Sequence, residues 1–343
     1  MDYFFNKKTE QEQNNVIYIE NTPLRIDCLI GEGNYGYVFR AVSPTFNGDK
    51  YFALKRINAA SEDSCREAET EIDVLKNIPS STNTLYYFGS KINQKPDTTE
   101  YNILTEYCEG GPLTRYLVLE HLLPEAVVER VTIATAKALA HFHRSGYIHR
   151  DVKDCNILVR PDLPKSIFLI EKDFVLGDYG SAIRGFSFDF KDLSIKTDFE
   201  RNTTPSFRAP ELVDVFSSRH IDNKIDTWAL GVMILRLLTG KNPFEESQSK
   251  IIRGEYEMPE VGEKLSKVIK GCLEVDPEKR LSAVDIVEIL SGTVDEQFKT
   301  MTPEAKILER KQSVTKNAFD IFGCEAAKPA PPSKPETAWK DIF

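Results

Sequence analysis

The chain has 343 residues, 41% of them apolar and 28% charged, with a net charge of −9. That length is enough for two lobes, or for one large domain with a tail. The charge is spread along the chain without a basic block, so there is no phosphate-backbone stripe and nucleic acid is not an expected partner.

Six cysteines (Cys28, Cys65, Cys108, Cys155, Cys272 and Cys324) form no Cys-x-x-Cys pair, which argues against a zinc knuckle or a disulfide framework and suits a reducing compartment. The opening "MDYFFNKKTEQEQNN" lacks the charged-then-apolar order of a signal peptide. Asp2 stands where myristoylation needs glycine, and the final "KDIF" is not a prenylation box. The most apolar long run, "WALGVMILRLLTG" from Trp228, contains Arg236 and is too short to span a bilayer. The expectation is a cytoplasmic protein with no transmembrane segment.

Residues 1–22 are polar and read as a loose arm. From Leu24 to about Tyr107 the signals are mostly strands: "LRIDCLIG", "YGYVFRAV", "YFALKRIN", "TLYYFGSKI" and "YNILTEY". One helix interrupts them, "SEDSCREAETEIDVLKNI", with Ser61 as cap and Ile72, Leu75 and Ile78 on one face.

Within the strand region "GEGNYGYV" supplies Gly31, Gly33, Gly36 and Val38. These glycines lie between two strands, not between a strand and a helix, which is the wrong context for a dinucleotide site. A glycine hairpin can instead lay its backbone N–H groups over phosphates, with Val38 against a base. In "YFALK", Phe52 and Leu54 face one side of the strand and Ala53 and Lys55 the other, where a nucleotide's phosphates could sit. Such a lysine needs a carboxylate to hold it. Glu67, Glu69 and Glu71 on the following helix are the candidates, and spacing alone does not choose among them.

From about Leu113 to Leu290 the signals become helical. "EAVVERVTIATAKALAHFHRSG" runs from Glu125 to a natural stop at Gly146, and "KIDTWALGVMILRLLTG" stops at Gly240. Between them lies "HRDVKDCNILV", with His149, Arg150, Asp151, Lys153 and Asn156 just before an apolar run. Asp151 can accept a proton from an attacking hydroxyl, Lys153 can neutralise a transferring phosphoryl group, and Asn156 can bind a hard cation through oxygen. Asp178, 22 residues after Asn156, ends the strand candidate "DFVLGD" and can bridge magnesium to phosphates. A glycine hairpin, a strand lysine, an Asp–Lys–Asn loop and a second aspartate are the parts that phosphoryl transfer needs.

In the order and spacing of these motifs, residues 24–292 resemble the eukaryotic protein kinase family. The resemblance implies an α+β bilobal fold, with an antiparallel β-sheet N-lobe (23–107) carrying one helix and a mainly helical C-lobe (108–292). By it, Asp151, Lys153, Lys55 and Glu71 are catalytic and Asn156 and Asp178 hold Mg2+. ATP is lined by Ile30, Gly31, Gly33, Gly36, Val38, Ala53, Lys55, Thr105 (the gatekeeper), Glu106 and Cys108. Tyr179 replaces the family's phenylalanine after the metal aspartate, and its hydroxyl needs a partner. Glu211 of "RAPE" pairs with Arg280, while Asp226 and Gly231 are architectural. Lys153 after the catalytic aspartate looks like the serine/threonine form, so the expected partners are protein substrates bearing Ser or Thr.

"TTPSFRAPEL" and "PFEES" are similar to the Numb-associated group of these kinases, which is linked to clathrin adaptors, endocytosis and actin patches. That group usually lacks the third hairpin glycine, and this chain keeps Gly36. By the resemblance Arg150 marks a phosphate-binding position; Asp198 or Glu200 is the candidate for an unmodified carboxylate partner, the alternative being that both acids are solvated. Thr204 matches the threonine that bonds to the catalytic aspartate and lysine. A catalytically silent scaffold and a serine/threonine kinase of another group are the alternatives.

Residues 293–343 read as a largely disordered, Pro-rich tail. "TPEAKILERKQ" has a short-helix pattern, and Pro329, Pro332 and Pro335 with Lys334 have the polyproline-II spacing of an SH3 ligand. Asp-Ile-Phe occurs at Asp320 and again at Asp341, as in short clathrin-adaptor-binding peptides.

Overall fold

The computed structural model describes residues 16–33, 36–43, 50–117, 122–161, 169–185, 187–189, 192–214, 220–245 and 247–292. The expected helix, proline spacing and Asp-Ile-Phe repeats of the tail lie outside them.

The N-terminal part is one six-stranded antiparallel sheet in the order β1-β2-β3-β4-β6-β5. Its strands are β1 (Val16–Ile19), β2 (Thr22–Gly33), β3 (Gly36–Val42), β4 (Tyr51–Ala59), β5 (Tyr87–Gln94) and β6 (Thr99–Glu106). Period-2 alternation sorts the side chains between its faces. One face buries Leu24, Ile26, Phe39, Phe52, Leu54 and Leu104. The other places Ile57 and Ile103 against Ala68, Ile72 and Leu75 of helix α1 (Glu62–Asn77).

The expected arm is corrected at its inner end. Val16–Ile19 pairs with Thr22–Arg25, and Ile19 is fully buried. Val16–Ile19 is itself apolar, but it is only four residues long and its flanks, Asn14, Asn15, Glu20 and Asn21, are polar, so the strand is submerged in a polar stretch.

Helix α1 starts where Ser61 caps it. Ser64 N donates to Ser61 Oγ, and Ser61 N donates to Ser64 Oγ, closing a reciprocal box. Glu62 and Asp63 complement the dipole in its first turn.

Gly36 has a structural task at the base of its hairpin. A Cβ there would lie 2.0 Å from the Arg56 carbonyl oxygen and 2.9 Å from Ile57 Cα, both backbone atoms of β4. Gly36→Ala must therefore part β3 from β4. The expected result is a loss of about 1–3 kcal/mol, as for other overpacked sites, read as a lower denaturant midpoint with an unchanged m-value.

The C-terminal part is built on α2 (Glu125–Arg144), which packs against both α5 (Lys224–Thr239) and α8 (Ala283–Ser291). Between α2 and α5 in the chain come α3 (Leu193–Asn202) and the single turn α4 (Pro210–Val213); α6 (Gln248–Arg253) and α7 (Glu263–Cys272) follow α5. Helix α5 is apolar nearly all round and is buried from Ile225 to Leu235. It ends at Gly240, whose φ of 72° is the left-handed cap that glycine takes without strain.

Short strand pairs then bring distant motifs together. β7 (Gly111–Pro112), β9 (Ile157–Val159) and β10 (Phe174–Leu176) form one small sheet, and Ile157 pairs with Leu176. That register sets Asn156, just before β9, beside Gly177, just after β10, and Gly177 N donates to the Asn156 carbonyl at 2.8 Å. Likewise β8 (Tyr147–Ile148) pairs with β11 (Ile183–Arg184), and β12 (Ser187–Asp189) with β13 (His220–Asp222).

Candidate active site

A cleft of about 400 Å³ opens between the glycine hairpin, α1, the 149–156 loop and the segment that follows Asp178. Gly33, Gly36, Val38, Lys55, Glu71, Asp151, Lys153 and Asp178 line it, together with Glu67 and Arg201 to Thr204.

Lys55 is the central cation. Its Nζ lies 2.7 Å from Glu71 Oε2 and 3.2 Å from Asp178 Oδ1. Tertiary packing thus chooses among the three glutamates. Glu69 instead accepts from the Tyr101 hydroxyl at 2.9 Å, and Glu67 lines the cleft one turn earlier. Burial lowers the Lys55 pKa, but Glu71 and Asp178 outweigh it and hold the ammonium above its ordinary range. Asp178 is held below the usual carboxylate range, chiefly by Lys55. Burial raises Glu71 despite its partner. The site is therefore set with Lys55 charged and Asp178 ionised.

Asp151 is the centre of the second cluster. Its Oδ1 accepts from the Thr204 hydroxyl at 2.6 Å, its Oδ2 lies 2.7 Å from Lys153 Nζ, and Asn156 Nδ2 donates to Oδ2 at 3.1 Å. Lys153 also donates to Thr204 Oγ1 at 3.1 Å. Burial lowers the Lys153 pKa, and the bond and charge of Asp151 more than offset this, leaving it raised.

The loop is anchored from below by Asp226, at the start of α5 and fully buried. Asp226 accepts from His149 N at 2.9 Å and Arg150 N at 2.8 Å, and lies 2.9 Å from the His143 ring. Arg150 has φ of 72° and Asp178 φ of 58°. Such left-handed residues cost on the order of 1–3 kcal/mol each. At Arg150, two bonds to a buried carboxylate contribute enough, at about 1.5–3 kcal/mol apiece, to hold the strained turn.

Tyr179 finds both partners its hydroxyl needs. It donates to the Leu176 carbonyl at 2.6 Å and accepts from Leu85 N at 3.0 Å. The ring packs edge-on to Phe142 and His149.

The base-side residues are brought together by register. Ala53 pairs with Thr105, and Gly31 with Val38. Ile30, Gly31, Ala53, Thr105, Glu106 and Cys108 do not line the cleft itself. Glu106 commits its carboxylate to Arg160, at 2.7 and 3.0 Å, and to Tyr86 N at 3.0 Å. Its backbone N–H donates to the Tyr86 carbonyl at 3.0 Å, so neither its side chain nor its N–H is left for a base. Burial pushes the Cys108 thiol up to about 12, so it stays protonated.

Among the described residues no three His, Cys, Asp or Glu side chains gather as a metal cage. Asp178 lines the cleft, and Asn156, bonded to Asp151 beside it, offers a second hard oxygen. This fits a small hard cation whose remaining shell comes from water and phosphate oxygens.

Comparison with known proteins decides the family. The family model described as "Protein kinase domain" matches residues 24–290. The chain belongs to the protein kinase family. Two probable serine/threonine-protein kinases of Dictyostelium discoideum resemble this kinase domain at 28% identity, over 77% of the chain and 33% of the relative, and at 32%, over 76% and 24%. Serine/threonine-protein kinase ppk30 of Schizosaccharomyces pombe is 26% identical over 74% of the chain and 27% of its own length. The chain thus spans about a quarter to a third of the length of these relatives.

The kinase domain also contains a helix beside the site that the sequence reading did not include. Helix α3 lies inside the segment between Asp178 and Glu211, where no helix was expected. Its capping signal is visible: Asp192 accepts from Ser194 N at 2.9 Å. Asp198 on this helix meets the Arg150 guanidinium. Glu200, its rival in the sequence, points elsewhere, 3.7 Å from Lys196. No helix among the described residues is long and apolar enough to cross a membrane.

Proposed function

We propose that this chain is an ATP-dependent serine/threonine protein kinase. The observation that carries this reading is the convergence of the Lys55–Glu71–Asp178 cluster and the Asp151–Lys153–Thr204 cluster on one cleft. In this reading Asp151 takes the proton of the attacking hydroxyl as its oxygen bonds to the γ-phosphorus and the bond to ADP breaks. Lys153 offsets charge on the transferred group, and Lys55, held by Glu71, orients the phosphates of ATP. Ile30, Gly31, Gly33, Gly36, Val38, Ala53, Thr105, Glu106 and Cys108 frame the nucleotide. Mg2+ would be held by Asp178 and Asn156, and when bound it neutralises phosphate charge. Thr204, fixed between Asp151 and Lys153, favours an aliphatic hydroxyl acceptor over the longer phenol.

We further assign the chain to the Numb-associated group, on the strength of "TTPSFRAPEL", "WALG" and "PFEES", with clathrin-adaptor and SH3 partners reached through residues 293–343 and a role at endocytic or actin patches. The test is transfer from labelled ATP to a threonine peptide panel that includes Thr-Gly contexts, beside capture of SH3 domains and adaptor appendages by the full chain. Transfer with a Thr-Gly preference and capture is the expected result. Transfer without either would leave a kinase of another group, and no transfer with magnesium or manganese would overturn the activity.

A further inference from the structure

The stretch from Glu106 to Gly110 leaves β6 and is fastened at both ends to residues 159 and 160. At its start, the Glu106 carboxylate accepts two bonds from the Arg160 guanidinium, from Nε to Oε2 at 2.7 Å and from Nη2 to Oε1 at 3.0 Å. At its end, Glu109 N donates to the Arg160 carbonyl and Gly110 N to the Val159 carbonyl, both at 2.9 Å. Cys108, buried, lies between these two points. Arg160 itself directly follows β9, and its N–H donates to the Asp173 carbonyl at 2.9 Å. The same guanidinium reaches further. Its Nη1 donates to the carbonyls of Thr82 and Lys172, and the group lies 5.7 Å from the centroid of the Tyr86 ring. Thr82 and Tyr86 belong to the connection between α1 and β5, and Tyr86 N donates to Glu106 Oε1 at 3.0 Å. One planar fork thus serves a carboxylate and two carbonyls from three separate segments, a geometry that the single ammonium of a lysine does not reproduce. The Arg160 and Glu106 side chains are only 22% and 14% exposed, so this pair is better shielded from water than a surface ion pair.

We infer that Arg160 is a positioning residue of the base site: it sets the backbone of residues 106–110 through Glu106, and so fixes both the affinity for ATP and the preference for adenine over guanine. Its three guanidinium nitrogens are all committed to protein acceptors, so it acts through Glu106 and not on the nucleotide. A backbone edge discriminates between bases only while its donors and acceptors stay in place, because a wrong base then leaves them unpaired. An edge that is free to shift adapts to either base. The Lys55–Glu71–Asp178 and Asp151–Lys153–Thr204 clusters have anchors of their own, so the effect falls on nucleotide binding and not on the transfer step. This assignment rests on the ATP reading for its affinity readout alone.

Arg160→Met, Arg160→Lys, Glu106→Gln and the double variant Arg160→Met with Glu106→Gln, all made in the full chain, test it. Amide hydrogen exchange at Glu109 and Gly110, in protein without nucleotide, reads the backbone directly. Those two N–H groups bond to the carbonyls of residues 159 and 160, which every variant keeps, so faster exchange there reports movement of the stretch. Titration with ATP and with GTP, together with kcat and the KM for a threonine peptide, reads the consequence. Arg160→Met is expected to speed exchange at both amides and to weaken ATP binding about ten-fold, the size of one charge-assisted hydrogen bond. GTP binding should weaken less, so the ratio between the two nucleotides narrows. Turnover at saturating ATP and the peptide KM should stay within about two-fold. Arg160→Lys should act in the same direction, because it keeps the charge and loses the fork. The double variant should be no worse than Arg160→Met, since both changes break one contact. Arg160→Met leaves Glu106 without its cation; if that variant does not fold, Arg160→Lys and the double variant decide the matter.

Exchange at Glu109 and Gly110 that stays at the wild-type rate would overturn the assignment. So would equal losses for ATP and GTP accompanied by a higher peptide KM, which would mark Arg160 as a general structural support. Faster turnover with unchanged ATP affinity would show that the contact restrains the lobes and does not position the base. Wild-type protein that binds no ATP would sink the ATP reading and the base-site role with it, and is told apart from failure of the Arg160 contact by the exchange measurement, which needs no nucleotide.

Discussion

Asp151→Asn is expected to lower phosphate transfer by about 10²–10⁴-fold, the range that a positioned general base contributes. The geometry explains why the nearly isosteric change should be so costly. The Asp151 carboxylate accepts from Thr204, Lys153 and Asn156 at once. An amide can keep only one oxygen among these donors. If that oxygen stays with Thr204, its NH2 group faces the Lys153 ammonium and the Asn156 amide, both donors themselves. The variant therefore loses the proton acceptor and also loosens Lys153, which no longer has a fixed anion.

Lys55, Glu71 and Asp178 form a separate cluster, so ATP affinity should stay within a few-fold of wild type. Stability should change little, because backbone bonds to Asp226 hold the loop independently. Turnover with labelled ATP, nucleotide titration and a thermal melt measured together would check this. Transfer above a tenth of the wild-type rate would remove Asp151 from the proposed role.

The largest stability effect is expected at Arg280 and Glu211. Both are buried, and the guanidinium meets the carboxylate through two bonds, Nη1 to Oε1 at 2.6 Å and Nη2 to Oε2 at 2.8 Å. Arg280 also donates to the carbonyls of Glu274, Lys224 and Val275 and lies over the Trp228 ring. It therefore joins the turn after α7 to α4 and to the start of α5. Removing one partner leaves an uncompensated buried charge, which costs about 3–5 kcal/mol.

Glu211→Leu and Arg280→Met should each lower the unfolding free energy by that amount, read as a lower denaturant midpoint. The double variant should cost clearly less than their sum, since it removes both charges together. The carbonyls that Arg280 satisfied keep the double variant below wild type. Additive losses would show that the pair acts through packing and not through charge.

How much of this was legible beforehand follows from the range over which each feature is encoded. The five main N-lobe strands, the Ser61 cap, α2 and the Gly240 stop are local. Alternation, capping hydroxyls and a glycine at a left-handed cap act within a few residues, so their signals survive in one dimension. Lys55, Asp151, Asn156 and Asp178 were legible for the same reason: Lys55 sits in an alternating strand, and the others sit in loops beside short apolar strands whose pattern marks them.

Tertiary structure alone decided the rest, because it depends on what lies opposite. Spacing left Glu67, Glu69 and Glu71 equal, and only the docking of α1 on the sheet turned Glu71 to Lys55. It left Asp198 and Glu200 equal, and only the winding of α3 aimed one at Arg150 and the other at Lys196. It gave no sign that the missing Cβ of Gly36 faces the Arg56 carbonyl on the next strand. Nothing near Arg160 in the chain points to Glu106. Ion pairs and close backbone approaches are properties of distance in space, and a charge in a sequence shows its sign but not which charge it will meet.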